Sequence, residues 1–113
     1  MHITSTILQV ILGLGFLMFG FMKFGTKQQV EAFKHFGYSQ GFRAFTGLVE
    51  VIGAVGMIIG IWYPLISTLA GILLGIIMLG AIITHIRVKD PGKIMGTPII
   101  LLILSIAVAV LNL

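Results

Sequence analysis

Long apolar runs separated by two short polar stretches dominate the hydrophobic pattern of this chain. The first run, Ile3 to Met22, contains no charged residue. A transmembrane helix needs about 20 mainly apolar residues to cross a hydrocarbon core ~30 Å thick. Because the basic residues follow this run and no cleavage-site pattern is evident, we interpret it as a retained helix over residues 3–24, not as a signal peptide.

A second uncharged stretch, Val51 to Thr84, is too long for one ordinary span. The aromatic pair and the proline at positions 62–64 divide it. Aromatic residues favour the membrane–water interface, and proline favours a turn or the first turn of a helix. A polar loop with an Asp-Pro-Gly turn follows the third span. The four spans of this single domain, residues 1–113, are therefore predicted at 3–24, 42–62, 65–86 and 94–112.

The segment 27–36 between the first two spans has a different pattern. Val30, Phe33 and Phe36 recur at helical spacing, and the charged residues lie between them. This spacing indicates a short amphipathic helix lying in the headgroup region of a bilayer.

Composition agrees with a chain embedded in lipid. Charged residues make up 9% of the sequence, and the mean hydropathy is +1.19. Soluble domains carry about 25% charged residues, because a surface that faces water has to be hydrated. We therefore predict an all-α integral membrane four-helix bundle. The absence of cysteine excludes disulfide bonds and thiolate chemistry carried by this chain.

The basic residues fall in two groups, Lys23 to Arg43 and Arg87 to Lys93. Their position indicates topology, so the net charge of +4 does not predict nucleic-acid binding. Two crossings separate the two groups, which places them on one side of the membrane. By the positive-inside rule that side is cytoplasmic. We expect a multi-pass protein of the cell membrane with both termini outside, and the lipid bilayer as its first partner.

Glycine pairs at helical spacing occur in the predicted spans, at Gly56 and Gly60 and at Gly71 and Gly75. Small residues let helix backbones approach closely in lipid. The favoured interpretation is packing within the bundle. The alternative is a contact with a second copy of the chain, giving a homodimer, or with another membrane protein.

Glu50 is the one acidic residue inside a predicted span. Ionisable groups within a membrane are costly, so they normally face the bundle interior and find a partner. Arg43 lies seven residues earlier on the same face, about 10 Å along the helix axis. The candidates for a polar cluster at the cytoplasmic end are Glu50, Arg43, His85, Lys23 and Thr84, with Thr46 and Arg87 beside them.

This cluster has two interpretations. It is a functional site, beside which Phe42 and Phe45 line an apolar pocket, or it is a structural network that fixes the order of the helices. One histidine and one glutamate without cysteine make a poor metal site, so no metal is expected.

Three short motifs in order resemble the DoxX-like family of small four-helix membrane proteins. They are FGFMKF at 19–24, GLVEVIG at 47–53 and GAIITH at 80–85. The resemblance covers nearly the whole chain and implies a four-helix membrane fold. It also implies mixed functions, since some members are membrane subunits of thiosulfate–quinone or other redox complexes, many are called oxidoreductases, and distant animal relatives are chaperones for membrane receptors.

Three functions remain open at this point. The first is a redox-associated membrane subunit that binds a quinone-like or other lipophilic molecule near Glu50, with Arg43, Lys23 or His85 bonded to its polar head. The second is a non-enzymatic assembly factor or chaperone-like partner. The third is a small proton-coupled exporter, although small multidrug transporters carry their membrane glutamate in the first span, where this chain has only Gln9.

Overall fold

A computed structural model describes residues 2–113, and these residues form α-helices joined by short turns, with no β-strand among them. The all-α fold is thereby confirmed. A short 3-10 turn, Gly92–Ile94, precedes the last helix. The helices are α1 (His2–Met22), α2 (Lys27–Phe36), α3 (Gln40–Ile59), α4 (Pro64–Arg87) and α5 (Gly96–Leu111).

Within the described residues, α1, α3, α4 and the segment Gly92–Leu111 that includes α5 are long and apolar enough to cross a membrane. Large apolar side chains stay exposed along all four of these helices, among them Ile11, Ile52, Ile76 and Ile103. In water such a surface would be strongly unfavourable, whereas lipid tails solvate it. The protein is a multi-pass membrane protein.

Local capping explains where α3 begins. The Ser39 side chain accepts a hydrogen bond of 3.0 Å from the backbone N–H of Phe42, so the helix starts at Gln40, two residues before the predicted position. The helix ends at Ile59, earlier than predicted, because a turn leads from there to Pro64 at the first position of α4.

The segment predicted to be amphipathic forms α2. Thr26 caps its start, and its end is fixed by Gly37, which adopts φ +80°. A left-handed backbone of this kind favours glycine and stops a helix. The helix therefore turns back sharply toward α3.

The four long helices form a ring in which α1 packs on α3, α3 on α4, α4 on α5, and α5 on α1. Their alternating directions bring together the residues Lys23, Arg43, Arg87 and Lys93, and we call this the basic end. The other end, where α3 joins α4, is called the far end. The buried core between them is apolar and includes Leu12, Phe16, Met57, Leu74 and Val108.

Glycines allow the closest helix contacts within the chain. A Cβ atom added to Gly47 of α3 would lie 2.8 Å from the carbonyl oxygen of Gly20 in α1. A Cβ atom added to Gly71 of α4 would lie 2.6 Å from the carbonyl oxygen of Ser105 in α5. These backbones therefore touch directly, which supports the interpretation that the glycines pack inside the bundle.

A polar network joins the helices near the far end. The Gln9 amide donates to the carbonyl oxygen of Met57 at 3.0 Å and to the Ser67 hydroxyl at 2.6 Å. The Ser5 hydroxyl donates to Gln9 at 2.8 Å and accepts from the Asn112 amide at 3.0 Å. The network spans α1, α3, α4 and the end of α5, and its members satisfy one another in a medium without water.

Candidate functional site

A cavity of about 600 Å³ lies at the basic end of the bundle. Residues of α1, α2, α3, α4 and the start of α5 line it, so the whole fold contributes to its walls. Its polar lining residues are Lys23, Gln28, Gln29, Tyr38, Thr46, Glu50, Thr84, His85 and Thr97.

The most buried polar side chain of the wall, Glu50, forms an ion pair with Lys23, the residue that follows α1. The Lys23 ammonium lies 2.7 Å from Oε2 of Glu50. Only 1% of the Glu50 side chain is exposed, against 15% for Lys23. Glu50 is ten residues into α3, about 15 Å from the start of the helix. Both carboxylate oxygens are buried and accept no hydrogen bond of standard geometry from the described residues, so Oε2 is matched by the ammonium charge and Oε1 has no partner.

Two contacts bring Lys23 to Glu50. The close approach of Gly20 to Gly47 holds the end of α1 against α3. The Arg43 guanidinium then donates to the carbonyl oxygen of Lys23 and, through Nε, to the side chain of Gln40 at 2.9 Å. Arg43 therefore anchors the backbone of Lys23, and it is not among the residues that line the cavity.

Aromatic rings from four segments, α1, α2, the turn after α2 and α3, line the cavity together with this ion pair. The Phe33 ring of α2 is 5% exposed and lies 6.4 Å from the Phe42 ring of α3, between ring centroids. Tyr38 stacks edge-on against Phe42 at 5.0 Å. Phe42 and Phe45, which the sequence placed beside an apolar pocket, both line the cavity. The six aromatic rings of the wall belong to Phe19, Phe33, Phe36, Tyr38, Phe42 and Phe45.

His85 lines the cavity and bonds to Asp90, a residue that the sequence pattern assigned only to a turn. Its Nδ1 is 2.7 Å from Oδ2 of Asp90. The other oxygen of Asp90 lies 2.9 Å from Nε2 of His35 in α2. Neither Asp90 nor His35 was among the predicted site residues. The available signal was their placement in the two loops assigned to the same side of the membrane.

Thr84 and Arg87 complete the attachment of α2 to the end of α4. The Thr84 hydroxyl lies 2.9 Å from the hydroxyl of Tyr38, and this bond lowers the pKa of the tyrosine. Arg87 donates to the carbonyl oxygen of Phe36 at 2.5 Å, and its guanidinium carbon lies 5.1 Å from the centre of the Tyr38 ring. Such cation–π contacts are favourable at a membrane surface.

We call His35, Asp90, His85 and Arg87 the α2 latch, because they hold α2 across the basic end. The hydrogen bonds from His85 and then His35 lower the pKa of the Asp90 carboxyl. The carboxylate is the form that accepts both bonds. By linkage, its contribution is present above the ordinary aspartate pKa and is lost as the pH falls through the lowered one.

Asp90→Asn is expected to loosen α2 without unfolding the bundle, since one amide oxygen replaces two acceptors of the latch. The chain has no cysteine, so Ala32→Cys in the cavity wall supplies a single reporter thiol. We expect several-fold faster maleimide labelling when Asp90→Asn is added, because low-stability elements open more often. Lys34→Gln, which changes the charge of α2 outside the latch, serves as the control. Equal labelling in all three proteins would contradict the latch.

The latch is not arranged as a metal centre. The two imidazoles bond to separate oxygens of Asp90. Across residues 2–113, no group of three or more histidine, cysteine, aspartate or glutamate side chains is positioned to hold a metal ion. The arrangement instead offers hydrogen-bonding side chains and a buried ion pair in the wall of a cavity rich in aromatic rings.

Comparisons with known proteins agree with the resemblance seen in the motifs. The sequence model of the DoxX-like family matches residues 7–108. A protein of Bacillus subtilis (strain 168), named "Uncharacterized protein YdgD", is 37% identical over 81 residues, which is 71% of each chain. No solved structure matches this chain.

Proposed function

The chain belongs to the DoxX-like family, and we propose that it is a redox-associated membrane subunit that binds a quinone-like or other lipophilic small molecule beside Glu50. The observation that carries this proposal is the cavity itself, a space of about 600 Å³ with aromatic walls and a buried ion pair in its lining.

The size and lining of the cavity suit a small organic ligand. Ligand sites in proteins are usually ~300–1,000 Å³ in volume and combine apolar walls with a few convergent polar groups. Here the rings of Phe33, Phe42 and Tyr38 offer faces and edges to a flat ring. The Lys23 and Glu50 side chains offer the polar contacts at its base.

The redox association rests on the family and on the shape of the site. Members of the family include membrane subunits of redox complexes, and a quinone head group is flat, apolar on its faces and polar at its edge. The chain has no cysteine and so carries no thiol relay. We therefore propose that it holds the lipophilic molecule for a partner protein that exchanges electrons with it.

Removing the charge of Glu50 is expected to release the ligand. We expect small molecules that co-purify with the gently extracted protein to be retained about ten-fold less in Glu50→Gln, because a hydrogen bond to a charged group is worth ~1.5–3 kcal/mol. Mass spectrometry of the extract measures this. His85→Ala is expected to have a smaller effect, because this side chain is already bonded to Asp90. Glu31→Gln, the same exchange on the exposed face of α2, is the control.

Two results would count against this proposal. One is a wild-type protein, extracted in mild detergent, that retains no small molecule. The other is equal retention in the wild type and in Glu50→Gln, which would mean that the bound molecule does not contact the ion pair.

We also propose that the basic end, with the cavity and the α2 latch, faces the cytoplasm and that both termini lie outside the cell membrane. The grouping of Lys23, Arg43, Arg87 and Lys93 at one end supports this orientation. A single cysteine at Asn112 is expected to react with a membrane-impermeant maleimide in intact cells. Labelling only after lysis would reverse the orientation.

A further inference from the structure

The Glu50 carboxylate in the cavity wall is only partly satisfied by the protein: neither of its buried oxygens accepts a hydrogen bond of standard geometry from the described residues, and the Lys23 ammonium lies beside Oε2. Oε1 of Glu50 is buried and has no hydrogen-bond partner among the described residues. Buried polar groups are almost always paired, because an unpaired one loses its hydration without compensation. The residue lines the cavity, so a bound molecule can supply the missing contact.

Two polar side chains of the cavity wall, Lys23 and Thr46, do not bond to Oε1. The Lys23 ammonium lies 2.7 Å from the opposite oxygen, Oε2. The Thr46 hydroxyl donates to the carbonyl oxygen of Phe42 at 2.9 Å within its own helix. The Thr46 hydroxyl therefore has no proton left for Oε1, whereas the Lys23 ammonium keeps N–H groups that a bound molecule is able to accept from.

These donors and acceptors determine which head group fits beside Glu50. A carboxylate paired with an ammonium accepts hydrogen bonds and donates none. A head group with carbonyl oxygens alone, such as that of a quinone, accepts a hydrogen bond from the Lys23 ammonium. It has no proton to donate, so Oε1 of Glu50 stays unpaired. A hydroxyl both donates and accepts, so it is able to donate to Oε1 of Glu50 and to accept from the ammonium at the same time.

Resting on the function proposed above, we propose that the cavity selects lipophilic molecules with an aromatic hydroxyl, and that this hydroxyl donates its hydrogen bond to Oε1 of Glu50. The aromatic wall, with Phe33 and Phe42 beside the ion pair, takes the ring. Of a quinone and its reduced hydroquinone, the site binds the hydroquinone more tightly.

A matched pair of probes separates this inference from the function on which it rests. Para-octylphenol and its methyl ether share their ring and chain, and only the phenol donates a hydrogen bond. Binding of each to the purified protein in detergent is measured by equilibrium dialysis, with empty micelles subtracted. We expect the wild type to bind the phenol at least about ten-fold more tightly, given the cost of an unpaired buried acceptor.

Glu50→Gln tests the atom that is responsible. In this variant the amide carbonyl faces the Lys23 ammonium, so the NH2 group occupies the position of Oε1 and donates instead of accepting. The preference for the phenol is expected to fall to about one-fold or to reverse. Glu31→Gln, outside the cavity, is expected to keep the wild-type preference.

Each outcome has one meaning. If the wild type binds both probes equally, the selection of a hydroxyl is wrong, although the cavity is a ligand site. If the preference survives in Glu50→Gln, another group causes it and the inference is overturned. If neither probe binds, the proposed ligand site fails and this inference fails with it.

Discussion

Replacing Lys23 by methionine is expected to destabilise the bundle by about 3–5 kcal/mol, because the Glu50 carboxylate then stays buried without its cation. Methionine keeps much of the length and apolar volume of the lysine side chain, so lost packing contributes little. The free energy of unfolding is measured by circular dichroism during titration with sodium dodecyl sulfate in mixed micelles.

A double-mutant cycle tests whether the unpaired Glu50 charge causes the destabilisation of Lys23→Met. Glu50→Gln added to Lys23→Met removes the unpaired charge and is expected to restore most of the lost stability. Lys27→Met, on an exposed residue of α2, controls for the loss of one positive charge at the basic end. If the double variant is as unstable as the sum of the two single variants, the two side chains do not form the pair seen here.

Gly47→Val is expected to separate α1 from α3 and to cost about 2 kcal/mol or more, since overpacking costs ~1–3 kcal/mol even where side chains are able to yield. Here the new Cβ atom would lie 2.8 Å from a backbone carbonyl of α1, at Gly20, which is unable to rotate away. The same movement would draw Lys23 away from Glu50, so ligand retention is expected to fall together with stability.

Gly15→Val is the matched control for this change. A Cβ atom at Gly15 meets no atom within 4 Å, so this variant is expected to unfold as the wild type does. The measurements are the same titration and the same mass spectrometry of retained small molecules. A stable Gly47→Val protein with normal retention would contradict the close approach of α1 and α3.

The sequence predicted the transmembrane fold because lipid imposes simple rules on it. A span has to be long, apolar and helical, and such runs are visible without knowledge of which helices are neighbours. The first and last residues of each helix follow no such simple rule, so predicting them also requires knowledge of the local capping bonds. Ser39 shows this, because its capping bond moves the start of α3 to Gln40.

The candidate site was predictable only in part, for reasons of geometry. Glu50 stood out because an acidic residue in a span demands a partner, but periodicity within one helix pointed to Arg43. The contact comes instead from Lys23, another of the predicted site residues, which directly follows α1. Helix periodicity contains no information about which helices are neighbours. Periodicity also does not show where the side chain of a loop residue lies, so the bonds of Asp90 to His35 and His85 were missed.

The bonds among Ser5, Gln9 and Asn112 would restrict how the cavity adapts to the ligand proposed for it. They fasten α1 to α5 at the far end, whereas at the basic end the cavity lies between Phe19 of α1 and Leu101 of α5. The two helices are therefore held together at the far end, and at the basic end they are separated by the cavity. A bulkier ligand would be accommodated by separation of α1 from α5 at the basic end. The surrounding lipid would then be displaced in one leaflet of the membrane and not in the other.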